Sequence, residues 1–246
     1  MNIIIDGKSC SCEKGEYLLQ IARRNGIEIP TLCHHDSFAG QGSCRLCIVE
    51  VSERGRKKVV VSCVYPVNQE CEVFTQSERI KKDRRMILTL LMKRAPDSPE
   101  IKTLCEKYGA EDIPRFVSVN GSRCVMCGLC VRACAELSVG AISTVNRGVT
   151  KEIATPYHEE SSVCVGCGSC AYVCPTGAID ITETSDTRTI WGKTFPLVRC
   201  ADCGTVIGTR QELALAAEKA ATEPDTLCAD CRKKRMADVF SLTYGK

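Results

Sequence analysis

Along the first third of the chain, apolar and polar positions alternate in short runs, the pattern of half-buried strands. Asn2 to Ile5 reads as a strand, Asp6-Gly7 as a turn and Lys8 to Cys12 as a return strand. The period then changes. Glu16 to Asn25 reads as a helix with Leu18, Leu19 and Ala22 on one side and Gly26 as its stop. Ile48 to Val51 and Lys58 to Ser62 read as strands around a hairpin loop at Glu53-Arg54-Gly55-Arg56, and Glu72 to Thr75 as a closing strand. Residues 78–93 repeat apolar positions at Ile80, Ile87, Leu88 and Leu91, which predicts a helix. Ala95-Pro96-Asp97-Ser98-Pro99 breaks it, and Glu100 to Tyr108 starts another. Residues 183–198 read as a polar connector holding Trp191. A capping box, Thr209-Arg210-Gln211-Glu212, opens a short helix from Gln211 to Ala221, and Pro224 marks its exit.

Composition changes this picture in one respect: 20 of the 246 residues are cysteine. No signal-peptide pattern opens the chain, so the expected compartment is the reducing cytoplasm, where thiols hold metal rather than form disulfides. Lys and Arg (33) nearly balance Asp and Glu (30), and aromatics are 5% of the chain. Neither a basic field nor a base-stacking surface is present, so nucleic acid is not an expected partner. The longest apolar stretches, such as Ile87 to Met92, are too short for a membrane span.

Residues 116–182 carry a duplicated run. Cys124-x2-Cys127-x2-Cys130-x3-Cys134 is followed by Cys164-x2-Cys167-x2-Cys170-x3-Cys174-Pro175. This is the spacing of the bacterial two-cluster ferredoxin. Three thiolates on one tight loop cap three irons of a cubane, and the fourth reaches the other cube. The expected sets are Cys124, Cys127, Cys130 and Cys174 for one [4Fe–4S] cluster, and Cys164, Cys167, Cys170 and Cys134 for the second. Each fourth cysteine is expected to start a helix. Ala135 replaces the proline that usually follows the first run, which predicts a looser exit there. Two zinc knuckles would not explain eight cysteines in this doubled register.

A second constellation is Cys33-x10-Cys44-x2-Cys47-x15-Cys63, with a glycine-rich loop Gly40-Gln41-Gly42 before Cys44. Four thiolates suit a two-iron cluster, and such a loop lets backbone N–H groups approach its sulfides. These residues resemble the [2Fe–2S] domain of the iron–sulfur subunit of respiratory complex I and of its relatives in NAD-coupled hydrogenases and formate dehydrogenases. The resemblance runs over residues 1–182. It implies an α+β chain: a ubiquitin-like β-grasp [2Fe–2S] domain over 1–77, a helical spacer over 78–115 and a two-[4Fe–4S] ferredoxin domain over 116–182. Many relatives carry a further cubane in the spacer, held by one histidine and three cysteines. Between Thr75 and Arg123 this chain has only Cys105 and no histidine, so that cluster is not expected. Cys105, Cys10, Cys12 and Cys71 are expected to be buried packing thiols.

The third constellation, Cys200-x2-Cys203-x24-Cys228-x2-Cys231, lies in the connector and C-terminal module over 183–246. Paired Cys-x-x-Cys units build tetrahedral four-thiolate sites. A zinc-ribbon-like module with one zinc is the first reading. An additional iron–sulfur cluster is the second and a mononuclear iron site the third, since thiolate suits several soft metals.

No Gly-x-Gly-x-x-Gly loop, phosphate loop or catalytic triad is present. His34 and His35 beside Cys33 are expected to be exposed, as are His158-Glu159-Glu160 and the basic face Arg79, Lys81, Lys82, Arg84 and Arg85. The chain therefore reads as an electron-transfer subunit with no substrate-converting site of its own. The resemblance implies a flavoprotein subunit that binds NAD(P) on one side and a hydrogenase or formate dehydrogenase subunit on the other. Soluble ferredoxin would be a third redox partner if the complex bifurcates electrons. The alternatives are an iron–sulfur oxygen or redox sensor and a free-standing multi-cluster ferredoxin.

Overall fold

The computed structural model describes residues 1–119 and 121–244. The chain forms two compact units that interleave in sequence: 1–129 with 147–152 and 173–178, and 130–146 with 153–172 and 179–246.

The first unit is built on a five-stranded sheet. Strands β1 (Asn2–Ile5) and β2 (Lys8–Ser11) pair antiparallel across the Asp6-Gly7 turn. Helix α1 (Leu18–Arg24) follows, then β3 (Ile48–Glu53), β4 (Arg56–Val61) and β5 (Glu72–Phe74). The sheet order is β2-β1-β5-β3-β4, and β1 and β5 run parallel. Alternation sets the faces: Ile3 and Ile5 are buried while Ile4 is exposed. Leu18, Leu19, Ile21 and Ala22 of α1 join Ile3, Ile5, Val49, Val51 and Val73 in one core, together with Cys10, Cys12 and Cys71. The β3–β4 hairpin is longer than its sequence suggests. Arg54 and Gly55 take φ 49° and 76°, so a two-residue turn of the tight hairpin type replaces the expected four-residue loop.

Helices α2 (Glu78–Arg94) and α3 (Pro99–Tyr108) form the spacer. Ser77 and Ser98 cap their N-termini, accepting from the amides of Ile80 and Ile101. Leu88, Ile101 and Cys105 share a buried cluster, and the Cys105 thiol donates to the Leu88 carbonyl at 3.7 Å. Cys105 is thus a packing thiol, as expected.

The duplicated run is divided between the units, with Cys124, Cys127 and Cys174 in the first and Cys130, Cys134, Cys164, Cys167 and Cys170 in the second. Its elements are α4 (Leu129–Glu136), β6 (Ser143–Val145), β7 (Glu152–Ala154) and α5 (Ser169–Tyr172). Neither fourth cysteine starts a helix. Both helices open beside the third cysteine, after Gly128 and Gly168 turn the chain at φ 77° and 76°, a conformation that favours glycine. Cys134 lies inside α4, and Cys174 lies beyond α5. Ala135 does not loosen the exit. It lets α4 continue to Glu136, whereas α5 stops at Tyr172, ahead of Pro175.

Residues 183–198 are not a polar connector. They supply most of an antiparallel sheet: β8 (Ile181–Glu183), β9 (Thr187–Ile190) and β10 (Lys193–Arg199), completed by β11 (Val206–Thr209), in the order β11-β10-β9-β8. Threonines occupy many of the strand positions, which hides the pattern, but Ile190 and Phe195 are buried beneath it. Helix α6 (Arg210–Ala220) starts at the Thr209 capping box, and α7 (Ala229–Tyr244) follows. No helix among the described residues is long and apolar enough to cross a membrane.

Candidate metal centres

The first group of thiols lies on the connection between α1 and β3, which carries Cys33, Cys44 and Cys47, and on the turn just after β4, which carries Cys63. Ile48 pairs with Val61, so Cys47 and Cys63, one step and two steps beyond them, are brought together by strand register. The amide and hydroxyl of Ser62 both donate to the Cys47 carbonyl, at 3.1 and 2.8 Å. Cys33 and Cys44 form the other pair, with the Cys44 amide donating to Cys33 Sγ at 3.3 Å. Gly40 is required beside them, because a Cβ there would lie 2.1 Å from the Cys63 carbonyl oxygen. In each pair one thiol is held low by a hydrogen bond from its partner. Cys44 falls to about 6 through Cys33, and Cys47 to about 7 through Cys63. Cys33 and Cys63 are raised in turn, first by those same bonds and then by burial. The four thiols therefore fall into two ligand-like pairs.

Two neighbours of this group are not where the sequence placed them. The His34 side chain is only 8% exposed, not a surface group. Its Nδ1 lies 3.3 Å from the Arg23 guanidinium, and burial, then Arg23, hold it below the ordinary histidine value. Arg84, expected on a solvated face, is 2% exposed. Its guanidinium donates to the carbonyls of Leu46, Ile48 and Thr75 at 3.3, 2.9 and 3.3 Å, and it lies over the Tyr108 ring. Burial pulls it below the ordinary arginine value, while Tyr108 and Cys47 act the other way. A fixed cation thus backs the start of β3, directly after Cys47.

Still in the first unit, Cys124, Cys127 and Cys174 come together. Burial raises both Cys124 and Cys127, the latter to about 11, and the Cys174 thiol raises each further. Cys127 also feels Cys44, and these two share one buried cluster with Cys33, Leu46 and Val125. Gln41 of the glycine-rich loop lies against Gly128.

In the second unit, Cys134, Cys164, Cys167 and Cys170 line one cavity with Ile142 and Trp191. Cys164 is raised by burial and further by Cys134 and Cys167, against the pull of Lys193. Cys170 is raised to about 11, chiefly by burial, while the Trp191 N–H acts downward. Lys193, at the start of β10, and Trp191, in the turn before it, are not among the site residues the sequence marks, because 183–198 reads there as a connector. Cys130, in the first turn of α4, packs with Ala141 and Ile142.

The last group is the most compact. The sulfurs of Cys200, Cys203, Cys228 and Cys231 all lie within 4.8 Å of one another, and Cys203 and Cys228 are 3.7 Å apart. A tetrahedron of zinc–sulfur bonds of about 2.3 Å spaces its sulfurs about 3.8 Å apart, so the group fits one metal ion. The amides of Cys203 and Cys228 hold Cys200 down at about 6, and Cys203 is lowered chiefly by Thr205. Cys231 is raised by the Cys228 thiol. Arg235 of α7 grips Asp202 of the first knuckle through two hydrogen bonds.

These sites define an iron–sulfur protein. Residues 1–78 match a 2Fe-2S iron-sulfur cluster binding domain, and 123–178 match a 4Fe-4S dicluster domain. The chain is 32% identical to the NADP-reducing hydrogenase subunit HndD of Solidesulfovibrio fructosivorans, over 85% of this chain and 43% of that one. It is 31% identical to the NADH-ubiquinone oxidoreductase 75 kDa subunit of Reclinomonas americana, over 78% of this chain and 31% of the relative. It thus spans less than half the length of these relatives. A solved NAD+-reducing [NiFe]-hydrogenase chain superposes with a TM-score of 0.60 at 25% identity, covering 72% of this chain and 85% of that one. The chain thus carries a 2Fe-2S domain and a 4Fe-4S dicluster domain, and over most of its length it is similar to subunits of an NADP-reducing hydrogenase and of NADH-ubiquinone oxidoreductase.

Proposed function

We propose that this chain relays single electrons from a [2Fe–2S] cluster at Cys33, Cys44, Cys47 and Cys63 through two [4Fe–4S] clusters. The carrying observation is that Cys44 and Cys127 share one buried cluster in the first unit. The two-iron site therefore abuts the first ferredoxin loop without an intervening station. When bound, such clusters supply one-electron chemistry at potentials set by ligands, hydrogen bonds and burial. The chain's part is to hold thiolates at fixed spacing and to exclude water from them.

The electrostatic influence of Cys174 on Cys124 and Cys127 supports the first cubane set, completed by Cys130 through its x2 spacing. The shared cavity supports Cys134 with Cys164, Cys167 and Cys170 for the second. Cys130 and Cys134 stand one turn apart on α4, so one helix would carry a ligand to each cube. We read the N-terminal sheet and helix as a ubiquitin-like β-grasp, and 1–77, 78–115, 116–182 and 183–246 as the functional modules. The relatives' names point only to NAD(P)-coupled hydrogenases and NADH oxidoreductases. The setting we propose beyond them is a cytoplasmic complex with a flavoprotein NAD(P)-binding subunit and a hydrogenase or formate dehydrogenase partner, with soluble ferredoxin as a further partner in a bifurcating version. A Cys47→Ser chain tests the relay. The two-iron EPR signal should vanish while both cubanes remain chemically reducible, and reduction of the cubanes by NAD(P)H through the flavoprotein should slow at least tenfold. Unchanged transfer would contradict the proposed order.

For the C-terminal group we propose structural zinc. Four sulfurs drawn this close leave room for one ion, whereas a multi-iron core spreads its thiolates over two or more irons and so holds some of them farther apart. Helix α7 buries none of its residues and exposes Met236, Val239 and Phe240. A helix of this length is marginal alone, so the metal and a partner subunit would hold it. Cys203→Ser or Cys228→Ser should release about one zinc per chain and weaken partner pull-down, with the upstream clusters still reducible. X-ray absorption that finds no zinc, and an iron–sulfur signal lost on Cys228→Ser, would make this a further redox station.

A further inference from the structure

Trp191 is the one tryptophan of the chain. It stands first in the two-residue turn between β9 and β10, where Ile190 pairs with Lys193. Its φ is 54°, followed by 77° at Gly192. Hairpin turns with two left-handed residues favour Asn, Asp or Gly at the first place, because a bulky side chain is strained there. Breaks of such local rules collect at functional sites. Here the indole Nε1–H donates to Cys170 Sγ at 3.5 Å. The ring packs against the buried cluster that contains Cys164 and Cys170. From the same turn, Lys193 donates to the carbonyls of Ser161 and Cys164 at 3.0 and 3.2 Å. Two side chains of one turn therefore grip the second cysteine loop. In the first unit, the sulfurs of Cys124 and Cys174 take backbone N–H donors from Met126 and Ala178.

We infer that Trp191 is a positioning residue that raises the reduction potential of the cubane proposed at Cys134, Cys164, Cys167 and Cys170, by fixing an N–H donor on the Cys170 sulfur. The inference rests on that cluster assignment. One-electron reduction adds negative charge to the cluster and its thiolates. A donor held on a thiolate sulfur stabilises the more negative form, and hydrogen bonds to sulfur are a recognised control of cluster potential. No bond or proton moves, and the electron comes from the reductant supplied. The indole thus makes this cubane a better acceptor than it would be without that donor.

The test uses the full chain, loaded with clusters under anaerobic conditions and reduced with dithionite. In EPR-monitored redox titrations, Trp191→Phe should move one cubane to lower potential and leave the other cubane and the two-iron cluster in place. Trp191→Asn suits the turn better, so it should cause the same fall while the hairpin stays as resistant to heat as in the natural chain. Nitrogen-15 placed only in the indole ring of the natural chain should give a pulsed-EPR coupling at one reduced cubane, whether or not the variants load. Unmoved potentials in both variants, or no indole coupling while both cubane signals are present, would overturn the inference. Absence of both cubane signals from the loaded natural chain would instead overturn the cluster assignment, and this inference with it.

Discussion

Replacing Arg84 with methionine should destabilise the first unit by about 3 kcal/mol or more and empty the two-iron site. Hydrogen bonds from a charged donor contribute about 1.5–3 kcal/mol each, and a buried carbonyl left without its donor adds a desolvation cost. Arg84 serves three carbonyls at once, and two of them, Leu46 and Ile48, flank Cys47. Methionine matches the aliphatic stem, so packing is largely kept and the guanidinium is the group removed. Lysine keeps the charge but not the planar fork, and should give an intermediate loss. Thermal unfolding, with visible circular dichroism of the reconstituted chain, measures both effects. A change within about 0.5 kcal/mol, the range of ordinary surface substitutions, would contradict the buried role.

Cys174→Ser should cost the cubane otherwise held by Cys124, Cys127 and Cys130, about four irons of the whole. The reason is placement. Cys174 acts on Cys124 and Cys127 in the first unit. The cavity of the second unit is lined by Cys164, Cys167 and Cys170 with Cys134 instead. In EPR, the Cys174→Ser chain should match Cys124→Ser and differ from Cys164→Ser. The double change at Cys124 and Cys174 should remove no more iron than either alone. A Cys174→Ser spectrum that matched Cys164→Ser would put each fourth ligand back on its own run.

The thiol groups were legible because spacing is local: Cys-x2-Cys-x2-Cys fixes a loop whatever surrounds it. The β1–β2 turn, α1, α2 and the Thr209 capping box were legible for the same reason. The β8–β10 strands were not, since threonine-rich alternation resembles loop composition and their pairing is long-range. Trp191-Gly192 was the overlooked turn signal. Arg84 was hidden by its charge. It stands four residues from Ile80 and four from Leu88, on the apolar stripe of α2, and that position marked it as buried. His34 was misplaced because its cover comes partly from Arg23 of α1, which sequence proximity does not reveal. The exit after Cys134 shows the reverse case, where one missing proline was noticed but its effect was a longer helix rather than a looser one.

Everything turns on whether one chain carries a two-iron site and two cubanes. Anaerobic iron and acid-labile sulfide analysis of the fully reconstituted chain, with EPR during stepwise reduction, measures this directly. The predicted result is about ten irons per chain and three separable reduced signals, one of the two-iron type. About four irons, or no two-iron signal in a well-loaded preparation, would contradict the account.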